Sequence, residues 1–218
     1  MKKSLFTLAA LLLALVMMSF YATEQAVKIK YPKKLAKGTE VPKGLKNMEK
    51  PRKKGTPPAK LMIPGDCTNL ALEKEVTSSN EDPEEGDLEM ITDDDADGNE
   101  FVQLKEGKQW IQIDLEESKT LYAAHLWHFH QKPRVYFDVI IQLSDDEDFI
   151  KGVKTVFNND HDNSSGFGKG KNKNYVEEYY GKSIKFAKPV KGRYVRFYSN
   201  GNHVNKSNHY CEVHVYGK

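Results

Sequence analysis

Four polar clusters in this chain have the residue types and spacings that bind ions or ligands. Asp93-Asp94-Asp95-Ala96-Asp97-Gly98 sets carboxylates at i, i+2 and i+4 ahead of a glycine turn. Calcium loops need several oxygen ligands on a tightly curved backbone, and this order resembles the start of one. The helix-flanked form of such a loop does not fit, because its closing carboxylate position falls on Leu104. Trp127-His128-Phe129-His130 places two imidazoles at i and i+2, which on a strand turns both to one side and both aromatic rings to the other. Zinc would need a third ligand, and only a fold-back of Asp160, His161 or Asp162 offers one. Asn158 to Gly166 is a long polar loop of carboxylates, amides and one imidazole, suited to polyol or cation recognition. The following Gly168, Lys169, Gly170 and Lys171 lack the spacing and the helix of a phosphate loop. Ser199-Asn200-Gly201-Asn202-His203 is the fourth cluster, just before the last strand. Nucleophile signatures such as Gly-x-Ser-x-Gly or His-Glu-x-x-His do not occur. Paired carboxylates are too common in an acidic region to indicate acid–base catalysis.

The elements that must position these clusters read as β-strands. Ile111, Ile113 and Leu115 alternate with Gln112 and Asp114 behind Trp110, a period of two with one buried face. Similar segments recur at Phe101–Leu104, Leu121–Phe129, Val135–Ser144, Lys154–Phe157, Val176–Tyr180, Ser183–Phe186, Tyr194–Tyr198 and Tyr210–Tyr216. Gly, Asn, Asp and Pro turns separate them, and no helical period of adequate length intervenes. The expectation is an all-β, antiparallel sandwich over residues 65–218, long enough for one buried core.

The first 64 residues are of another kind. Lys2 and Lys3 precede an apolar run from Leu5 to Met18, the pattern of a secretory signal over residues 1–22. Phe20 is bulky where a small residue favours cleavage, so an uncleaved membrane anchor stands as the alternative. From Glu24 to Pro64, eleven Lys and one Arg face three Glu, a balance of +9. The whole chain carries +2, so residues 65–218 carry −9 once Lys2 and Lys3 are counted. Residues 23–64, with their prolines, are expected to be a disordered or extended basic linker that spaces the domain or attaches it to an anionic surface. Export makes nucleic acid an unsuitable partner. Cys67 and Cys211 are the only cysteines. In an oxidising compartment such a pair closes, and a loop of about 145 residues would contribute on the order of 4–5 kcal/mol.

The order Asn69-Leu70-Ala71-Leu72, Ile91-Thr92-Asp93, Trp110 to Leu115, Gln142-Leu143-Ser144-Asp145-Asp146, Gly192-Arg193-Tyr194-Val195-Arg196 and Glu212 to Gly217 resembles the discoidin family. These are also called coagulation factor 5/8 type C domains, and they have a galactose-binding-like jelly-roll fold. The resemblance covers residues 67–218 and includes cysteines near both ends. It implies a non-catalytic module that binds a glycan, a lipid head group or a protein. It also implies a structural calcium, mapped here to Asp93, Asp95 and Glu212, although Glu100-Phe101-Val102 departs from the family's usual sequence after the loop. Its sugar-binding members use a hairpin tip, here Phe129 to Arg134, for which His130 and Arg134 are the nearest matches without strict correspondence, and a loop before the last strand. There His203 stands in place of an aromatic.

The expected function is therefore an exported, periplasmic or extracellular module that recognises carbohydrate or a surface polymer. The candidate contacts are His128, His130, Arg134, Asp160, His161, Asn163, Asn200 and His203. Two rivals remain: a protein-binding or envelope-adhesion module docked through Lys28 to Lys60, and a metal enzyme built on His128, His130 and His161.

Overall fold

The computed structural model describes residues 23–34, 42–53 and 55–218. The expected signal segment, residues 1–22, lies outside them. Among the described residues eleven strands are formed: β1 (Glu24–Ala26), β2 (Met62–Pro64), β3 (Thr68–Asn69), β4 (Val76–Ser78), β5 (Val102–Leu104), β6 (Lys108–Trp127), β7 (Ile140–Ser144), β8 (Lys154–Asn158), β9 (Lys182–Asn200), β10 (Asn208–Tyr210) and β11 (Glu212–Gly217). Among the described residues the helical element is one 3-10 turn, Leu88–Ile91. The main sheet runs β3-β11-β6-β9-β7-β8, with β4 also paired to β6. β5 pairs with β10 and β1 with β2, and every strand pair is antiparallel. The protein is an all-β jelly roll.

Two long strands replace pairs of shorter expected ones. Trp110–Leu115 and Leu121 onward join in β6 through a register shift between Asp114 and Lys119. Ser183–Phe186 and Tyr194–Tyr198 join in β9. There, Leu121↔Val190 and Ala123↔Lys185 leave residues 186–189 of β9 opposite Tyr122 alone. Such bulges bend a strand without ending it, and turn-like residues inside the bends made each strand read as two. Ile111, Ile113, Leu115, Leu121, Val195, Phe197, Val213 and Val215 fill the principal core. The expected strand at Val176–Tyr180 is irregular instead. Its neighbour Asn174 is held by Asn47 and Met48 of the N-terminal segment.

The described parts of the basic segment, residues 23–34, 42–53 and 55–64, include residues that lie against the domain. Val27 and Ile29 are half-buried and pack on two small clusters, one around Ala123 and Tyr216 and the other around Trp127 and Cys211. Lys28 and Lys30, between and beyond them, are exposed. Ion pairs Lys185–Glu24 (2.6 Å), Lys182–Glu49 (2.5 Å) and Arg52–Glu178 fasten it.

The expected disulfide is not formed, since Cys67 and Cys211 are free thiols. Thr68 pairs with Gly217, whereas Cys211 precedes the opposite end of β11, so about 20 Å of strand separates the two ends. A disulfide spans no more than about 7 Å between Cα atoms.

Candidate functional site

The expected β7 start at Val135 is displaced to Ile140 because Asp138 takes a left-handed backbone conformation (φ 50°). Aspartate tolerates this conformation better than most residues. Residues 135–139 then run beside 199–203: Asn200 N–H donates to Phe137 O (2.8 Å), Phe137 N–H to Gly201 O (3.0 Å) and His203 N–H to Val135 O (3.1 Å). The Asp138 carboxylate accepts from Asn200 Nδ2 (2.8 Å) and Ser164 Oγ (2.7 Å). Ser164 belongs to the long polar loop, so three chain segments meet at one buried carboxylate.

Asp160 folds that loop. It is 0% exposed, and its Oδ1 accepts the amides of Asp162 (3.3 Å), Asn163 (2.7 Å) and Ser164 (3.2 Å). Oδ2 accepts the Ser165 amide (2.9 Å) and hydroxyl. Burial pushes the carboxyl up, but the donors from Ser165 and Asn163 outweigh it and hold it below the ordinary value. Asn163, also left-handed (φ 68°), closes the turn by accepting from Gly168 N–H (2.6 Å). Oxygens of Asp138, Asp160 and Asp162 lie within 4.8 Å of one another, with Asp162 exposed at the mouth. Beside them Phe167, 37% exposed, packs on Tyr198 (4.7 Å). Lys108 Nζ sits 4.6 Å from the Phe167 ring and donates to Ser165 O (2.8 Å).

The structure brings together Asp160, Asn163 and Asn200, and adds Asp138, Asp162, Phe167 and Lys108. Asp138 was hidden within a strand pattern, and Phe167 stands between Gly166 and Gly168 at the end of the polar loop. His161 is exposed on the same loop. Arg134 and His203 lie at the other end of the paired 135–139 and 199–203 segments. There Arg134 donates to Asn205 Oδ1 (2.9 Å) and covers the Phe129 ring (4.5 Å), while His203 Nδ1 accepts from Val135 N–H (3.1 Å). His128 and His130 do not face solvent. β6 ends at Trp127, its alternation stops, and both imidazoles are buried. His128 Nδ1 meets Glu177 Oε1 at 2.7 Å with its ring stacked on Tyr136, and His130 Nε2 meets Ala96 O at 2.8 Å. The two rings thus have separate partners, which removes the arrangement the zinc reading required.

The acidic loop is a staircase: the amides of Asp95, Asp97 and Asn99 donate to the carboxylates of Asp93 (2.8 Å), Asp95 (3.0 Å) and Asp97 (3.0 Å). The Asp95 carboxylate therefore serves the turn. Glu212 is 0% exposed, and no side chain hydrogen-bonds its carboxylate, which is left to the backbone amides of Asp94 and Val213. Burial, then Asp93 and Asp94, pushes its carboxyl up to about 10. His214 Nε2 lies 3.4 Å from Glu212 Oε1 and 3.3 Å from Asp94 Oδ1, and burial lowers the imidazole to about 4. A buried carboxylate faced by two more is a place where a nearby cation would be stabilising. Among the described residues the carboxylates that converge within 4.8 Å are those of Asp138, Asp160 and Asp162, so the expected set Asp93, Asp95 and Glu212 is not gathered as close ligands.

The fold matches solved carbohydrate-active proteins. A truncated AlyQ with CBM32 and alginate lyase domains aligns with a TM-score of 0.52 at 18% identity, over 70% of this chain and 34% of that one. Chitosan-binding module 1 of a chitosanase/glucanase from Paenibacillus sp. IK-5 aligns with a TM-score of 0.50 at 22% identity, over 69% and 99%. A family 89 glycoside hydrolase from Clostridium perfringens aligns with a TM-score of 0.52 at 17% identity, over 69% and 14%. The chain thus spans about a third of the alginate lyase protein. A search of curated protein sequences gave no match. Residues 75–213 match the F5/8 type C domain, and the chain belongs to that family.

Proposed function

We propose that this chain is a non-catalytic carbohydrate-binding module whose glycan site is the loop end around Asp138, Asp162, Asn163, Phe167 and Asn200. The observation that carries this reading is the Asp138 carboxylate, which ties the Asn200 loop to the Ser164 loop beside a partly exposed phenyl ring. Sugars present dense hydroxyls and one apolar face. Carboxylates and amides in fixed geometry bond the hydroxyls, and an aromatic ring takes the face. The chitosan-binding relative supports a sugar ligand for this fold. Buried donors from Ser165, Asn163 and Ser164 keep Asp160 rigid, so the exposed members of the loop are held before any ligand arrives. Calcium is assigned to Glu212 with Asp93 and Asp94, where it would neutralise three carboxylates and fix the loop. The chain is read as exported, with its exposed arm lysines available to an anionic envelope surface.

A glycan and polysaccharide array probed with the full chain, with calcium and then with chelator, tests this reading. Selective binding inhibited by the free sugar is expected. A blank array from folded protein would contradict it and favour a protein partner.

A further inference from the structure

A separate groove lies on the opposite part of the sheet system, away from the Asp138 cluster. It measures about 480 Å³ and is lined by residues 154–156 of β8 and 186–191 of β9, within the range of about 300–1,000 Å³ typical of ligand pockets. Its origin is the bulge in β9: residues 186–189 leave the ladder opposite Tyr122, and Phe186 is buried as their anchor. Ala187, Lys188 and Pro189 remain exposed. β8 is the edge strand, so the groove opens to solvent along its length. Lys154 Nζ donates to Lys191 O at 2.9 Å and fixes the distance between the two walls.

The lining has one sign of charge. Val156, Phe186, Pro189 and Val190 make an apolar floor, and every ionisable lining residue is a lysine: Lys154, Lys188 and Lys191. This occurs in a region, residues 65–218, whose balance is −9. Apart from the basic arm, this groove is a part of the domain that attracts an anionic polymer, whereas the acidic loop at Asp93 to Asp97 repels one. Lys188 and Lys191 both line the groove and are both exposed. The floor suits the C–H face of a sugar ring, and ammonium groups at the rim suit carboxylates carried on successive rings. A fatty acyl chain would need a closed cavity to leave water, and this groove is open.

We propose that the β8–β9 groove is a second binding site, for a uronate-bearing polysaccharide segment, with ring faces on Val156, Pro189 and Val190 and carboxylates on Lys154, Lys188 and Lys191. The site shares no residue with the Asp138 cluster and stands or falls separately from it. The test is calorimetric titration of the full chain with a galacturonate oligomer, and with the same oligomer after reduction of its carboxyls to alcohols. The acid form is expected to bind and to weaken with added salt. The reduced form, and the acid form with the Lys188→Glu/Lys191→Glu variant, are each expected to bind about tenfold more weakly, as for the loss of one or two charge-assisted contacts. Melting of that variant should be unchanged, because both side chains are exposed. Asp138→Asn should leave oligomer binding intact, which separates this site from the loop end. Equal affinity for the two oligomers, an unaffected double variant, no binding at all, or binding of anionic phospholipid vesicles in place of the oligomer would each overturn the assignment.

Discussion

Asp138 and Asn200 are joined by a 2.8 Å hydrogen bond between side chains 62 positions apart. That bond aligns the ribbon of residues 135–139 with the loop before β10, and the second Asp138 contact brings in Ser164. Asp138→Ala should cost about 1–3 kcal/mol, because Asn200 Nδ2 and Ser164 Oγ lose their acceptor and a left-handed position loses its aspartate. Urea denaturation would measure the loss, and glycan affinity should fall with it. Asp162→Asn, at the exposed mouth, should weaken glycan binding while leaving stability within about 0.5 kcal/mol.

Glu212 gives the protein a pH dependence that a cation should remove. Its folded carboxyl titrates near 10, against 4.5 when unperturbed. A raised acid contributes stability that is complete below the unfolded value and is lost as pH rises through the folded one. His125 and His209, lowered to about 3 by burial, and His214, lowered to about 4, act on the other side. Their contribution is present above about 6.5 and is lost as pH falls. With chelator, melting temperature should therefore decline from pH 7 to 9.5, and calcium should abolish that decline. Glu212→Gln should flatten it without calcium. A melting temperature that is level across this range with chelator would contradict the assignment.

Arg196 is held between the rings of Trp110 and Phe149, with its guanidinium carbon 4.1 Å from each ring centre. Its Nε and Nη2 donate to Gln112 Oε1 at 2.8 and 2.6 Å, and Nη2 also donates to Glu147 O at 3.0 Å. Lysine cannot reproduce a planar fork between two rings. Arg196→Lys should lower stability by about 1–2 kcal/mol in denaturant titration.

The basic segment should act as a cover. Val27 and Ile29 lie over the clusters that hold Ala123, Trp127 and Cys211. In the full chain, a thiol reagent should modify the half-buried Cys67 well before the buried Cys211. Deletion of residues 23–64 should make both thiols reactive and expose apolar surface to a hydrophobic dye. A slow second thiol in the deleted chain would show that the cover is dispensable.

Much of the fold was legible because alternation survives wherever one sheet face is buried, as at Ile111, Ile113 and Leu115. The length of β6 and β9 was not, because bulges interrupt the period without interrupting the ladder. Asp160 and Asn163 stood out by the polar composition of their loop and Asn200 by the family resemblance, and the structure places the three near one another. Asp138 was missed because its left-handed backbone leaves no mark in a sequence that otherwise alternates. His128 and His130 were misplaced because the alternation that would aim them outward stops at Trp127. The disulfide failed on register: both cysteines flank the two ends of the same sheet edge, which spacing in sequence cannot reveal.

The most direct test of the glycan site is an amide chemical-shift titration of the labelled full chain with the best sugar from the array, in calcium. The account predicts saturable shifts concentrated at Asp162, Asn163, Phe167 and Asn200, and their loss in Phe167→Ala, which should weaken binding about tenfold through the lost ring contact. Shifts confined to the Arg134–His203 end, or spread without saturation, would contradict it.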